Sequence, residues 1–131
     1  MAEKLSLQKL RKEAQQRGVM QTIKNIMDSN EAKITDAHNK ITSWLSTKKD
    51  NAQRFANINF PNNLQNTEAA ITEWNKNYSL SKFRELLEEL LISSSLNSSE
   101  LRSLNFALAL KTLCDDLKRK FIHLIKHGNF S

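Results

Sequence analysis

Apolar side chains recur every three or four positions through most of this chain, which is the spacing of one face of an α-helix. The first such segment runs from about Ala2 to Met27. It carries one apolar stripe at Leu7, Leu10 and Ala14 and a second at Met20, Ile23 and Met27. Gly18 lies between the stripes, and the pattern leaves open whether this glycine weakens, kinks or breaks the helix.

A second helix is predicted from Asn30 to Ala56, with Asn30 as its N-cap and Glu31 in the first turn, where the helix dipole favours an acid. Its apolar stripe consists of Ile34, Ala37, Ile41, Trp44, Leu45, Ala52, Phe55 and Ala56. The segment Asn57–Asn63 interrupts the pattern. It contains Pro61, which disfavours helical geometry in the residue before it.

The rest of the pattern predicts three more helices. The third runs from about Leu64 to Tyr78, and the fourth starts at Ser79 or Ser81, either as a separate helix or after a kink. A serine-rich linker at 93–96 precedes the fifth, which begins with the capping-box spacing of Asn97 and Glu100. Gly128 stands where a C-cap glycine belongs. The wide apolar arc between these ends predicts that the last helix is central.

Composition supports the helical interpretation. The 131 residues include two glycines and one proline, too few for the many turns of a small β protein. We therefore expect an all-α fold, with residues 1–131 forming a single domain. The expected architecture is a bundle of four to five mostly antiparallel helices that ends in a long C-terminal helix.

The formal net charge is +6 and the isoelectric point is about 9.6, which favours an acidic partner. The charge is uneven, because residues 1–60 carry 11 basic and 6 acidic side chains while residues 61–100 carry 3 and 6. Cys114 is the single cysteine, so no intrachain disulfide can form. No stretch has the apolar length of a membrane span, and the N-terminus lacks the apolar core of a secretory signal. We expect a protein of the reducing cytoplasm.

The residues capable of chemistry form no recognisable catalytic pattern. Asp116, His123 and His127 share one predicted helix face, but Lys120 lies between them and would repel a metal ion. Cys114 stands beside two aspartates, whose charges oppose formation of the thiolate. The chain has no glycine-rich phosphate loop, and its adjacent carboxylates point to different sides of a helix. We expect no enzyme activity, no metal, no cofactor and no small-molecule substrate.

Basic side chains cluster in the first and last predicted helices. The plainer interpretation is two solvated helix faces. If the clusters face the same way, they form a stripe that binds phosphates, and nucleic-acid binding is then an alternative function. The seven candidate residues are Lys9, Arg11, Lys12, Arg17, Lys118, Arg119 and Lys120.

Trp44 and Trp74 are the largest apolar side chains, and both lie on predicted core stripes. Tryptophan is also enriched at interface hot spots, so each is a candidate for contact with a partner. Lys48 follows Trp44 by one helical turn. Because catalytic patterns are absent and helical surface is ample, the sequence favours a small non-enzymatic protein–protein interaction module. Such an adaptor, assembly or regulatory protein would bind another protein or a second copy of itself.

Overall fold

The computed structural model describes residues 2–56 and 61–130, with the side chains of residues 7–56 and 63–130. All regular secondary structure in these residues is helical, which confirms the all-α class. The seven described helices are α1 (Ala2–Gln16), α2 (Met20–Ser29), α3 (Glu31–Arg54), α4 (Pro61–Asn77), α5 (Leu80–Ser93), α6 (Ser98–Arg102) and α7 (Phe106–His127). The expected count of four to five helices was wrong, because the first and last predicted segments are each divided in two.

Gly18 divides the first predicted segment. Its φ of +73° lies in the left-handed region, which ends α1 and redirects the chain into α2. At the end of α2, the Asn30 side-chain amide donates a hydrogen bond to the Ile26 carbonyl oxygen at 2.7 Å. Asn30 thus occupies the predicted N-cap position of α3, but its side chain closes α2 and makes no capping bond to α3.

The last predicted segment is divided at residues 103–105. The predicted capping box is present: Asn97 Oδ1 accepts from the Glu100 backbone N–H at 2.8 Å, and Glu100 Oε1 accepts from the Asn97 N–H at 3.0 Å. After the short α6, Asn105 Oδ1 accepts from the Leu108 N–H and begins a new helix, α7. This C-terminal helix is long, at 22 residues, and ends as predicted at Gly128, whose φ is +77°.

Two helix starts in the middle of the chain can be compared with the sequence prediction, which placed one near Leu64 and the other at Ser79 or Ser81. α4 begins at Pro61, ahead of the expected Leu64; proline suits the first helical position because its φ is already helical and its missing N–H would have no partner there. Ser79 Oγ accepts from the Lys82 N–H and caps α5, so the third and fourth predicted segments are separate helices. Residues 57–60 of the predicted break lie outside the described residues.

The helices pack in two groups that α3 joins. α7 packs against α3 and α4, while α5 packs against α1, α2 and α3, and α6 packs against α2. Thr42 on α3 contacts Trp74 on α4, and Lys49, later on α3, contacts Glu68, earlier on α4. The two helices are therefore antiparallel. α3 contacts both groups, whereas the last helix, which was expected to be central, packs mainly on α4 and α3.

Trp74 lies at the centre of the core and has no exposed surface. Its ring stacks on His38 and Tyr78, with centroid distances of 4.9 and 5.6 Å, and meets the Phe121 ring edge-on at 5.5 Å. The indole Nε1 donates a hydrogen bond to Thr42 Oγ1 at 2.8 Å. Because the polar atom of the indole is satisfied, complete burial of this ring leaves no unpaired donor. The cluster ties α3, α4 and α7 together.

Candidate functional site

The four basic candidates from the N-terminal part of the chain have different surroundings. Lys9 and Lys12 are exposed on α1, and Arg17 is exposed just after it. Arg11 is half-buried, and its Nε and Nη2 donate to the two carboxylate oxygens of Glu88 on α5 at 2.6 and 2.8 Å. The hydrogen bond to Glu88 raises the pKa of Arg11. The charge of Arg11 is therefore already neutralised by a contact between α1 and α5.

The three basic candidates on α7 also differ. Arg119 pairs with Asp116 one turn earlier, and Lys120 is exposed. Lys118 is half-buried, and its Nζ lies 5.7 Å from the centroid of the Trp44 ring. Since α1 packs on α2 and α5 whereas α7 packs on α3 and α4, the two basic clusters lie on helices with different neighbours. A phosphate-binding stripe shared by both clusters stays a prediction.

The contact between Lys118 and Trp44 brings together residues that are far apart in sequence. Trp44 is half-buried on α3, and Lys48, one turn later, also approaches its ring, with Nζ 5.5 Å from the centroid. Neither lysine forms an ion pair with a described carboxylate, although the charge of Lys118 helps to lower the pKa of Asp115, one turn earlier on α7. We call this set of three residues the Trp44 site. The sequence indicated the neighbourhood of Trp44 and Lys48, but the arrival of Lys118 depends on how α7 packs against α3.

Trp74, the other aromatic candidate, is part of the core. Its complete burial and its bond to Thr42 agree with the interpretation of its stripe as a packing face. In this conformation the Trp74 ring has no surface to offer a partner.

A groove of about 970 Å³ lies between α1, α2 and α5. Four apolar side chains from α2 and α5 line its floor: Met20 and Leu80 are half-buried, while Ile23 and Met27 are buried and show little surface. Charged side chains form its rim: the Arg11–Glu88 pair stands on one side, and Arg84 pairs with Glu31 at 2.9 Å on the other. Sequence reasoning missed this groove. Its signal, the stripe of Met20, Ile23 and Met27, could only be interpreted as a buried face.

Among the described residues, no three His, Cys, Asp or Glu side chains lie together in a way that could hold a metal ion. The rings of His123 and His127 lie close together, at 4.4 Å, on the exposed end of α7. Burial raises the pKa of the Cys114 thiol, which keeps this thiol in its less reactive protonated form.

Comparison with known proteins gives no further guide to the site: no family model, no curated protein and no solved structure matches the chain. Over the part of the chain that the structure describes, no helix combines the length and the apolarity that crossing a membrane requires.

Proposed function

We propose that this protein is a non-enzymatic interaction module that binds a partner protein in the groove between α1, α2 and α5. The observation that carries the proposal is the combination of an open groove of about 970 Å³, the half-buried apolar side chains Met20 and Leu80, and a rim of both charge signs. Apolar centres with polar rims are typical of protein interfaces.

The pairing of the rim charges favours binding over catalysis. Arg11 is paired with Glu88, and Arg84 Nη2 is paired with Glu31 and has Asp28 nearby at 3.8 Å, while the buried Arg84 Nε has no hydrogen-bond partner. A general acid or base needs a titratable group that is free to exchange a proton with a substrate. In this rim the carboxylates at 31 and 88 instead hold guanidinium groups, which orients the helices and fixes the width of the groove.

The groove can be tested by filling it. Gln21 is exposed and lines the groove, so Gln21→Tyr places a large side chain in the opening without disturbing the core. Gln65→Tyr on the exposed face of α4 is the matched control. In affinity capture from the source cells, we expect one set of proteins to bind the wild type and Gln65→Tyr but not Gln21→Tyr. An identical set captured by all three baits, or none by the wild type, would contradict the proposal.

Self-association is a variant of the same proposal, with a second copy as the partner. Light scattering of the wild type and Gln21→Tyr distinguishes it, because a dimer that uses the groove dissociates to the monomer mass when the groove is filled. A wild type that is monomeric at high concentration leaves only a different protein as the partner.

The alternative function is nucleic-acid binding through the exposed basic residues Lys9, Lys12, Arg17 and Lys120. A basic surface of this kind predicts affinity that falls steeply between 50 and 200 mM salt. Reversing the charge of Lys12 and Lys120 should then weaken binding. No oligonucleotide binding at 50 mM salt would exclude this alternative.

A further inference from the structure

We propose that the Trp44 site, formed by Trp44, Lys48 and Lys118, binds single-stranded nucleic acid: a base stacks on the indole, and the two ammonium groups hold the adjoining phosphates. This inference concerns a different surface from the groove and does not depend on what the groove binds. It starts from a convergence, because α3 supplies the ring and one lysine while α7 supplies the other lysine from 70 residues later.

The first argument is the charge at this site. Lys49, next to Lys48 on α3, pairs with Glu68 at 3.6 Å, and Lys111 on α7 pairs with Asp115 at 2.7 Å. Lys48 and Lys118 form no such ion pair with the described carboxylates, and both ammonium groups lie within 6 Å of the same ring centroid. The charge of Lys118 acts on Asp115 one turn earlier, but that carboxylate is already hydrogen-bonded to Lys111. Two like charges near one ring repel each other. An anion between them removes that repulsion, and a phosphate supplies the charge.

The second argument is the ring itself. Trp44 is half-buried, so part of its indole lies at the surface while the rest anchors it in the bundle. Each lysine reaches it on a flexible four-carbon stem, which allows the ammonium group to move from the ring to a phosphate as a base takes its place. Cationic side chains beside an aromatic platform are the shared feature of proteins that bind single strands.

The third argument is the continuation of this surface along α3. Phe55, the C-cap residue of α3, follows Trp44 by eleven residues, and helical spacing carried to that position returns to nearly the same face. Its side chain is 51% exposed, and Arg54 beside it is exposed as well. At about 1.5 Å of rise per residue, the two rings stand roughly 16 Å apart, a distance that a few nucleotides of extended single strand can cover.

These features favour a single strand over other acidic partners. In a duplex the bases are stacked on each other, so the ring of Trp44 would have no base face to contact. An acidic protein would contact the lysines and cover the indole as an interface side chain, but it has no base to stack on the ring between two phosphates. A single strand has unstacked bases that can contact the ring and phosphates that can contact the lysines.

The test is fluorescence anisotropy with a labelled 15-nucleotide oligothymidine at 50 and 200 mM salt. The double variant Lys48→Gln with Lys118→Gln removes the two cations. The double variant Lys49→Gln with Lys126→Gln is the matched control, since it removes the same charge from the same helices at lysines that do not approach the Trp44 ring. We expect the first variant to lose about tenfold in affinity and to lower the salt slope by about 1.4, which is two phosphate contacts. The control should stay within about twofold of the wild type.

A second arm separates stacking from charge. An abasic strand of the same length carries the phosphates without the bases, and we expect it to bind the wild type about tenfold more weakly. Trp44→Leu should lose a similar factor, while Trp44→Phe keeps most of the affinity; if Trp44→Leu does not fold, the abasic strand decides. Four results would each overturn the inference: no binding at 50 mM salt, equal loss in both lysine variants, equal binding of the abasic strand, or tighter binding of a duplex.

Discussion

Arg11 on α1 donates two hydrogen bonds to the carboxylate of Glu88 on α5, although 77 positions separate the two residues in the chain. The bidentate pair fixes one helix against the other at the rim of the groove. It also changes the interpretation of Arg11, which the sequence placed among the phosphate-binding candidates. A guanidinium whose charge is already matched by a carboxylate contributes less to a phosphate-binding stripe than the exposed lysines beside it.

The Arg11–Glu88 pair should be measurable in a double-mutant cycle with Arg11→Gln and Glu88→Gln. We expect a coupling free energy of about 1 kcal/mol, since two-point contact strengthens the pair but the Arg11 side chain is 43% exposed and solvent screens it. Urea unfolding of the four proteins gives the value. The Lys40–Asp36 pair on α3, whose side chains are both well exposed, is the control and should couple by less than about 0.5 kcal/mol. Equal coupling in the two cycles would contradict the role of Arg11.

We expect the Thr42 hydroxyl to contribute more to the free energy of unfolding than a threonine hydroxyl that bonds only within its own helix. Thr42→Val leaves the buried Trp74 Nε1 without its acceptor, and an unsatisfied buried donor costs about 1–3 kcal/mol. Thr47 is the matched control, because both threonine hydroxyls donate to the carbonyl oxygen four residues earlier on α3 but only Thr42 also accepts from an indole. Thr47→Val should change the free energy of unfolding by less than about 0.5 kcal/mol. Similar losses in both variants would mean that the Trp74 bond contributes nothing.

The left-handed conformation of Gly18 predicts a cost that is independent of packing. A Cβ added at Gly18 meets no atom within 4 Å, so Gly18→Ala has space but a strained backbone. We expect a loss of about 1 kcal/mol in the free energy of unfolding. Asparagine tolerates this conformation better, so Gly18→Asn should lose less. Chemical denaturation of both variants checks the order, and an alanine variant that is as stable as the wild type would argue that α1 and α2 do not need this turn.

Signals close to a helix end were visible in the sequence because they act over a few residues. The Asn97–Glu100 capping box and the Gly128 C-cap are both present, and Ser79, one of the two expected starts, caps α5. The break before α7 was missed because Leu101, Leu104 and Leu108 continue the apolar spacing across it. The Asn105 side chain, which accepts the Leu108 N–H, offers the backbone an alternative to continuing the helix.

The candidate sites depend on contacts that local spacing does not encode. Lys118 reaches Trp44 only because α7 packs beside α3, and Arg11 reaches Glu88 only because α1 packs on α5. Trp44 and Trp74 had the same sequence signal, an apolar stripe on a helix. They differ because the Trp74 ring is enclosed by rings from α3, α5 and α7 and by Tyr78 just after α4, whereas Trp44 is only partly covered.

The raised pKa of Cys114 predicts that its thiol reacts slowly with alkylating agents. Burial is the main cause, and Asp115 adds to it, while Lys118 acts in the opposite direction. The folded chain therefore holds the thiol proton to a higher pH than the unfolded chain does. The resulting stability is complete below the unfolded thiol pKa and is lost as the pH rises through the folded value. At pH 8 iodoacetamide should alkylate the folded protein more slowly than the same chain in urea.

The predicted loss of stability at alkaline pH is tested with Cys114→Ala, which has no thiol to titrate. Between pH 7 and pH 9.5 the wild type should lose more of its free energy of unfolding than Cys114→Ala does, because only the wild type gains from ionising in the unfolded state. Urea titrations at three pH values give the two slopes. Parallel slopes, or alkylation of the folded chain as fast as that of the unfolded one, would show that the packing around Cys114 does not hold its proton. The thiol would then be open to modification beside Lys118.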